Sequence, residues 1–286
     1  MSNSVRSPEK LTIGMAVYED FDGVYFTIQA LRYYHQDADP SRIRYLVIDN
    51  CPGGTHSEHI KKFIEGHVWG GRYIATDKIK GTAVRDLIFE EADTELVMCM
   101  DSHVLVEPGG VRALLDYYDK HPESKDLIQG PLVYDDIYNM ATHFDPRWSE
   151  GMFGVWGQDD RASDKHGDPF DIPAQGLGLF SCRKDAWLGF NRQFSGFGGE
   201  EFYIHEKFRQ AGRRTLCLPA LRWIHRFVRP SGTKYRNAWE DRVRNYIIGW
   251  REINRPIDDI VEHFSPIIGE EKVMAIVSAV DAEFKG

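Results

Sequence analysis

The sequence predicts an α/β protein built on a mainly parallel sheet with helices on both faces. Two observations carry this. Short apolar runs alternate with helix-period segments through the first third of the chain, the order that parallel strands joined by crossover helices require. The runs themselves are almost continuously hydrophobic, as strands covered on both sides are. Open sheets of this kind bind ligands beyond the C-terminal ends of their strands, which makes those ends the place to look for chemistry.

Each element follows from its residues. LTIGMAVYE (11–19) reads as a buried strand, and a helical pattern over 24–35 places Val24, Ile28, Leu31 and His35 on one side. RIRYLVID (42–49) is a second strand, ended by the turn cluster NCPGG. A short helix at 56–66 stops at a glycine. GRYIATD (71–77) is a third strand, TAVRDLIFEEA (82–92) a helix, and ELVMCMD (95–101) a fourth strand. Further on, 111–121 reads as a helix and DLIQGPLVY (126–134) as one strand. Residues 135–175 carry many Asp, Gly, Pro and Trp and little periodicity, which predicts a long functional loop. QGLGLFSC (175–182) is strand-like, 200–212 is a helix closed by Gly212, and RTLCLP (214–219) is the last short strand. Residues 236–252 and 256–285 read as helical. No repeat or linker divides the chain, so one domain over 1–255 with a helical extension over 256–286 is expected.

Composition sets outer limits. The chain has 286 residues, 42% hydrophobic and 28% charged, ordinary for a soluble globular protein. No apolar run approaches a membrane span of roughly 20 residues, and the polar start MSNSVRSPEK lacks the apolar core of a signal peptide. A cytoplasmic protein is therefore expected. Cys51, Cys99, Cys182 and Cys217 are scattered and form no CxxC pair, which argues against a zinc knuckle or a disulfide scaffold. The net charge of −9 is uneven: residues 205–255 hold 13 Lys or Arg against 4 Asp or Glu. Such a segment suits an anionic ligand; alternatively, its arginines pair with the acidic N-terminal part.

Three short blocks can carry chemistry. Asp101-Ser102-His103 closes a hydrophobic strand, and side chains two apart in a strand point the same way, so Asp101 and His103 can face one ligand. A carboxylate with an imidazole suits a divalent ion such as manganese; the plainer alternative is a polar strand end. GFGGEEFYIHEKFRQAG (196–212) puts Glu200 and Glu201 at a helix start after a glycine turn, where either could serve as a general base or simply favour the helix dipole. His225 follows Pro219 in PALRWIH, and alone it reads as a packed histidine.

In this order and spacing the blocks resemble the GT-A fold nucleotide-sugar glycosyltransferases, in particular the catalytic domain of the polypeptide N-acetylgalactosaminyltransferases and their bacterial family-two relatives. The likeness runs from about residue 11 to about residue 250. It implies a GT-A (Rossmann-like) mixed, mainly parallel sheet flanked by helices, with a C-terminal helical extension. It also implies a metal-dependent hexosyl- or N-acetylhexosaminyltransferase that uses a UDP-sugar. By position, the resemblance assigns Asp101, His103 and His225 to Mn2+ (or Mg2+) and Asp49 to the uracil. Arg85, in the counterpart of a G-x-x-x-R-N helix, falls near the nucleotide, although Asp86 stands where asparagine is usual. GGEE matches a GGEN or GGED block, Asn after the Glu being the retaining form and Asp the usual inverting one: Glu201 or Glu200 as the base implies inversion, the likeness to the retaining enzymes implies retention, and Gly199 and Gly176 fall at the sugar pocket. YRNAWEDR (235–242) loosely resembles the stretch after the family's mobile loop.

Arg226, Arg229 and Lys234, with Pro230 and Gly232 nearby, read as a lid over the diphosphate. Trp148, Phe153 and Trp156 are candidates to stack on a sugar or base, or to pack under the loop. His56 and His59 read as surface residues. The basic segment suits an anionic acceptor: hydroxymethylated pyrimidine in DNA, or a phosphate-bearing glycan or lipid. The fold also serves nucleotidyltransferases, but the acidic VYEDFDGVYF after the first strand lacks their glycine-rich basic loop. A non-catalytic nucleotide-sugar binder is the third alternative.

Overall fold

In the computed structural model the described residues are 10–228, 232 and 234–285, the side chains of 284 and 285 left aside. The chain begins with β1 (Leu11–Val17), α1 (Phe21–Tyr34), β2 (Ile43–Asp49), α2 (Ser57–His67) and β3 (Gly71–Ala75). A 3-10 turn at 82–85 leads into α3 (Asp86–Glu91), then β4 (Leu96–Asp101), β5 (Val104–Val106) and α4 (Gly110–Lys120). Short strands follow: β6 (Leu127–Gln129), β7 (Leu132–Val133), β8 (Met140–Ala141), β9 (His143–Ser149), β10 (Met152–Gly157), β11 (Phe170–Asp171) and β12 (Leu179–Arg183). The chain ends with α5 (Glu201–Gln210), β13 (Thr215–Cys217), β14 (Trp223–His225), α6 (Trp239–Glu252), α7 (Asp258–Ile268) and α8 (Glu270–Lys285).

The main sheet has eight strands in the order β11-β13-β6-β12-β4-β1-β2-β3. Strands β4, β1, β2 and β3 are parallel neighbours, and β12 runs antiparallel between β4 and β6. Alternation within each strand supplies both faces. Ile13, Val47 and Met98 pack with α1, α2 and α4, while Ile48, Val97 and Cys99 pack with α3 and α5 to α8. The fold is the mixed α/β sheet that the strand pattern predicts. The last two helices are held by the fully buried Ile260, Phe264, Val273 and Val280, which join the core under α6. Each such side chain contributes roughly 1.5–3 kcal/mol by its burial.

Three expectations need correction. The run at 126–134 is two strands in different sheets, because it breaks at Gly130-Pro131. A Cβ at Gly130 would lie 1.7 Å from the Leu221 carbonyl oxygen, and Pro131 has no N–H for a ladder. Residues 135–175 are not one loop: they hold the β9–β10 hairpin and two further short strands. RTLCLP is not the last strand, since β14 follows it and enters a second, four-stranded sheet of order β5-β14-β7-β8. The C-terminal stretch is helical as expected, in two helices parted at Gly269, whose φ is +96°.

Candidate active site

The second sheet builds the site. The fourth strand ends at Asp101, the chain turns through Ser102 and His103, and β5 leaves at once. Strand β14 pairs antiparallel with β5 so that His225 sits opposite Val104, and the Arg226 amide donates to the His103 carbonyl at 3.2 Å. Residues 124 apart in sequence thereby meet, with His225 Nε2 3.3 Å from Asp101 Oδ2. The His103 and His225 rings lie 4.7 Å apart, and one donor atom from each of Asp101, His103 and His225 falls within 4.8 Å of the others. It is this turn and β14, not strand alternation, that bring the three together.

The three side chains fit a divalent ion. They offer one carboxylate oxygen and two imidazole nitrogens, a set that suits manganese, and His225 Nδ1 is a buried polar atom with no partner. Among the described residues no other group of His, Cys, Asp or Glu comes together in this way. Burial opposes the charge on Asp101, but the Arg85 guanidinium and the two histidines outweigh it and hold the carboxyl well below its usual range. Arg85 Nη2 lies 3.0 Å from Asp101 Oδ1.

Asp20, at the turn from β1 into α1, supports the cluster from behind. One oxygen accepts from the Gly23 amide as an N-cap, and the other is 2.9 Å from His103 Nδ1 and accepts from Ser102 Oγ at 3.1 Å. Arg226 donates to the same carboxylate at 3.1 Å. Burial again resists, yet the hydrogen bond and charge of His103, with Arg226, keep Asp20 ionised far below its ordinary value. A carboxylate on the second ring nitrogen fixes the orientation and tautomer of a ligating histidine.

A cavity of about 820 Å³ opens beside the cluster, at the C-terminal ends of β1, β2 and β4. Asp101, His103, Arg85, Arg226 and Lys234 line it, as do Tyr18, Asn50, Cys51, Lys80 and Tyr235. His56 also lines it, against the expectation of a surface residue. The signal for Asp20 was present in the sequence: an aspartate three residues before Gly23 at the start of the helix after the first strand is an N-cap pattern.

Other expected residues lie elsewhere. Asp49 is buried beneath the cavity and does not line it. Its carboxylate accepts from the Cys51 amide at 2.9 Å, Ser57 Oγ at 2.5 Å and the Tyr73 hydroxyl at 2.6 Å, so the neighbouring Asn50 and Cys51 face the space instead. Trp148 packs among Tyr246, Trp250, His263 and Phe264 and donates to Asp259, so it clasps the β9–β10 hairpin to α7 rather than facing a ligand. Phe153 joins the same cluster. Trp156 packs on Phe144 and over Gly176. None of Trp148, Trp156, Gly176 and Gly199 lines the cavity. Arg229 lies outside the described residues. The basic segment is mostly paired: Arg214 with Asp171, Arg236 with Asp241, Arg244 with Glu283 and Arg251 with Asp281.

Glu201 begins α5, and Glu200 is its N-cap residue. Gly198 and Gly199 before them have φ of +95° and +94°, a region that L side chains rarely enter. A Cβ at Gly199 would stand 3.1 Å from Asn245. Asn245 on α6 holds this turn through the Ser195 and Gly198 carbonyls, both at 2.9 Å. Glu200 is 1% exposed, with Oε1 3.3 Å from Arg85 Nη1 and Oε2 unpartnered. Burial, then the Glu201 charge, push its pKa up to about 8, against the pull of Arg85. Glu201 is half-buried, and its carboxylate has no partner among the described residues. Asp86, in the asparagine position, is buried and accepts from Trp187 Nε1 and the Phe190 amide.

Residues 12–185 match the model of glycosyl transferase family 2, and the chain belongs to that family. Its fold is GT-A. Over 96% of its length it superposes on GalNAc-T7 solved with UDP, GalNAc and Mn2+, with a TM-score of 0.66 and 14% identity; it spans 57% of that chain. The mannosyltransferase PcManGT of Pyrobaculum calidifontis, solved with GDP-Man and Mn2+, is similar over 96% of this chain and 76% of its own, at TM-score 0.59 and 14% identity. TarS 1-349 of S. aureus in complex with UDP-GlcNAc is similar over 94% of this chain and 70% of its own, at TM-score 0.56 and 12% identity. No curated protein matches the sequence. No helix among the described residues is long and apolar enough to cross a membrane.

Proposed function

We propose that the protein is a metal-dependent transferase that moves a sugar from a UDP-sugar to an acceptor hydroxyl. The observation that carries this is the Asp101–His103–His225 cluster at the rim of a cavity that also presents Arg85, Arg226 and Lys234. Asp101, His103 and His225 would hold Mn2+ or Mg2+, which when bound neutralises charge on the diphosphate. Arg226, steadied by Asp20, and Lys234 add positive charge over the same space. Tyr18, Asn50 and Cys51 form the wall for the base, with Asp49 shaping their turn from below.

Glu201 is the residue we assign as general base. It takes the proton of the acceptor hydroxyl as that oxygen bonds to the sugar's anomeric carbon and the bond to UDP breaks, the electron pair leaving with the diphosphate. Glu200, whose burial and the neighbouring Glu201 charge raise its pKa and which already faces Arg85, is the poorer base. A base on the acceptor side implies inversion.

The acceptor is assigned to an anionic class, hydroxymethylated pyrimidine in DNA or a phosphate-bearing glycan or lipid. Support comes from Lys80 and Lys234 at the cavity, since most of the basic segment, Arg226 with Asp20 included, is paired with carboxylates. We place the catalytic unit at 1–255, with 256–286 as an extension packed on it, in a cytoplasmic setting. The test is UDP release from UDP-sugars with Mn2+, with and without hydroxymethylated duplex DNA. Release that requires the ion and is lost in Asp101→Asn and His225→Ala is expected; full activity in either variant would sink the assignment. Stimulation by the DNA, weakening with salt, identifies the acceptor; no stimulation removes DNA and leaves the glycan or lipid.

A further inference from the structure

His205 and Gln129 form a buried polar pair between the two halves of the site. Both are 0% exposed. His205 lies on α5, one turn after Glu201, and Gln129 ends β6. The Gln129 amide donates to the Gly176 carbonyl at 2.8 Å and to the Leu179 carbonyl at 3.2 Å, which fixes its orientation and leaves Oε1 facing His205 Nε2 at 2.5 Å. The segment that Gln129 holds also carries the Gly178 carbonyl, which accepts from the Asp101 amide at 2.9 Å. Gly178 lies against His225 as well, since a Cβ there would stand 3.2 Å from the ring. A continuous path of buried contacts thus runs from the first turn of α5 to Asp101 and His225.

The ring has one proton and two oxygens to serve. Burial first of all pushes the His205 pKa down to about 3, so the ring is neutral. Its Nδ1 lies 2.6 Å from the Glu201 carbonyl oxygen. That carbonyl, inside a helix, already has the backbone N–H four residues on. Gln129 Oε1 has no other donor among the described residues, and leaving it unsatisfied in the core would cost about 1–3 kcal/mol. Donation from Nε2 is therefore the arrangement that gives Gln129 Oε1 a donor while the Glu201 carbonyl keeps its backbone one.

We propose that the His205–Gln129 hydrogen bond is a positioning strut that sets the Glu200–Glu201 carboxylates against the Asp101–His225 cluster. The inference rests on the transferase reading above, with those carboxylates in the reaction. Neither residue lines the donor cavity, and Asp101 and His225 have their own hold in the β4–β12 and β5–β14 pairings, so loss of the strut shifts the α5 carboxylates and is read in turnover rather than in donor binding. A catalytic group displaced by about 1 Å can lose about 100-fold in rate.

The experiment compares the full-length wild type with His205→Gln, His205→Asn and His205→Phe. Glutamine keeps an N–H near the Nε2 position and asparagine keeps one near Nδ1. UDP release from UDP-sugars with Mn2+ gives turnover, titration of the metal-loaded protein with UDP gives affinity, and circular dichroism melts identify folded variants. The expected result is a loss of turnover of about 10-fold or more in His205→Asn and His205→Phe, with UDP affinity unchanged and His205→Gln close to wild type. Folded variants that all turn over like wild type would overturn the strut, and so would turnover and UDP affinity falling together. If His205→Phe does not fold, the Gln and Asn variants decide the matter. A wild type that releases no UDP refutes the transferase reading itself, and the strut with it.

Discussion

Replacing Glu200 with glutamine should change how stability depends on pH. The carboxyl is fully buried, 3.3 Å from Arg85 Nη1, with Oε2 unpartnered. Its folded-state pKa is raised from 4.5 to about 8, by burial and then by Glu201. Between those values the folded chain holds a proton that the unfolded chain has released. The contribution is fully present below the unfolded value, and it is lost as pH rises through the folded one. The slope is about −1.4 kcal/mol per pH unit, about 5 kcal/mol over the whole window. Glutamine keeps the volume and removes the titration. Urea unfolding of metal-free wild type and Glu200→Gln, from about pH 5 to about pH 9, reads the effect as a difference, because groups away from the Glu200–Glu201–Arg85 cluster titrate alike in both. The variant's stability relative to wild type should rise steadily up to about pH 8 and then level off. A constant difference across that range would refute the reasoning, because Glu200 would then be ionised throughout as the partner of Arg85.

Asp20→Asn should weaken Mn2+ binding by about 10–100-fold while the fold stays intact, measured by titration with the metal, because His103 loses its orienting carboxylate. Trp148→Ala should lower stability by about 3–5 kcal/mol in denaturant unfolding and leave UDP affinity unchanged; a selective loss of UDP or acceptor binding would return Trp148 to a ligand pocket. Asp49→Asn sets an amide against the Ser57 and Tyr73 hydroxyls and should cost about 1–3 kcal/mol. Its effect on UDP affinity should be modest, since Asn50 and Cys51 make the wall; complete loss of UDP binding without destabilisation would show direct contact.

The long strands were legible because their identity is local. LTIGMAV, IRYLVID and LVMCMD are apolar enough to be buried from both sides, and helical periods lie between them. The Asp-Ser-His and Gly-Gly-Glu-Glu blocks were legible for the same reason: each lies at the end of an element whose limits the sequence marks. The spacing of Pro219 and His225 singled out the third member of the cluster only through the family resemblance. The sequence by itself thus determined the parallel half of the main sheet and the Asp-Ser-His and Gly-Gly-Glu-Glu blocks at its C-terminal edge.

What surrounds those residues was decided by tertiary structure. Strands β5 and β14 are three residues each, too short for periodicity to reveal, and they exist because their backbones pair with each other. That pairing, not the Asp-Ser-His tripeptide, brings His225 to Asp101. Asp49 was expected at the nucleotide and is instead consumed by three neighbours, while Asp20, noticed only as part of an acidic loop, serves a helix cap, a histidine and an arginine at once. Trp148 and the arginines of the basic segment could be read from the sequence either as ligand-binding or as packed and paired, and packing and ion pairs take up the tryptophan and most of those arginines. A side chain's partners depend on which elements the folded chain stacks beside it. Hydrophobic patterning specifies the elements, whereas the distribution of buried polar groups among competing partners is settled only when every donor and acceptor in the core must be satisfied together.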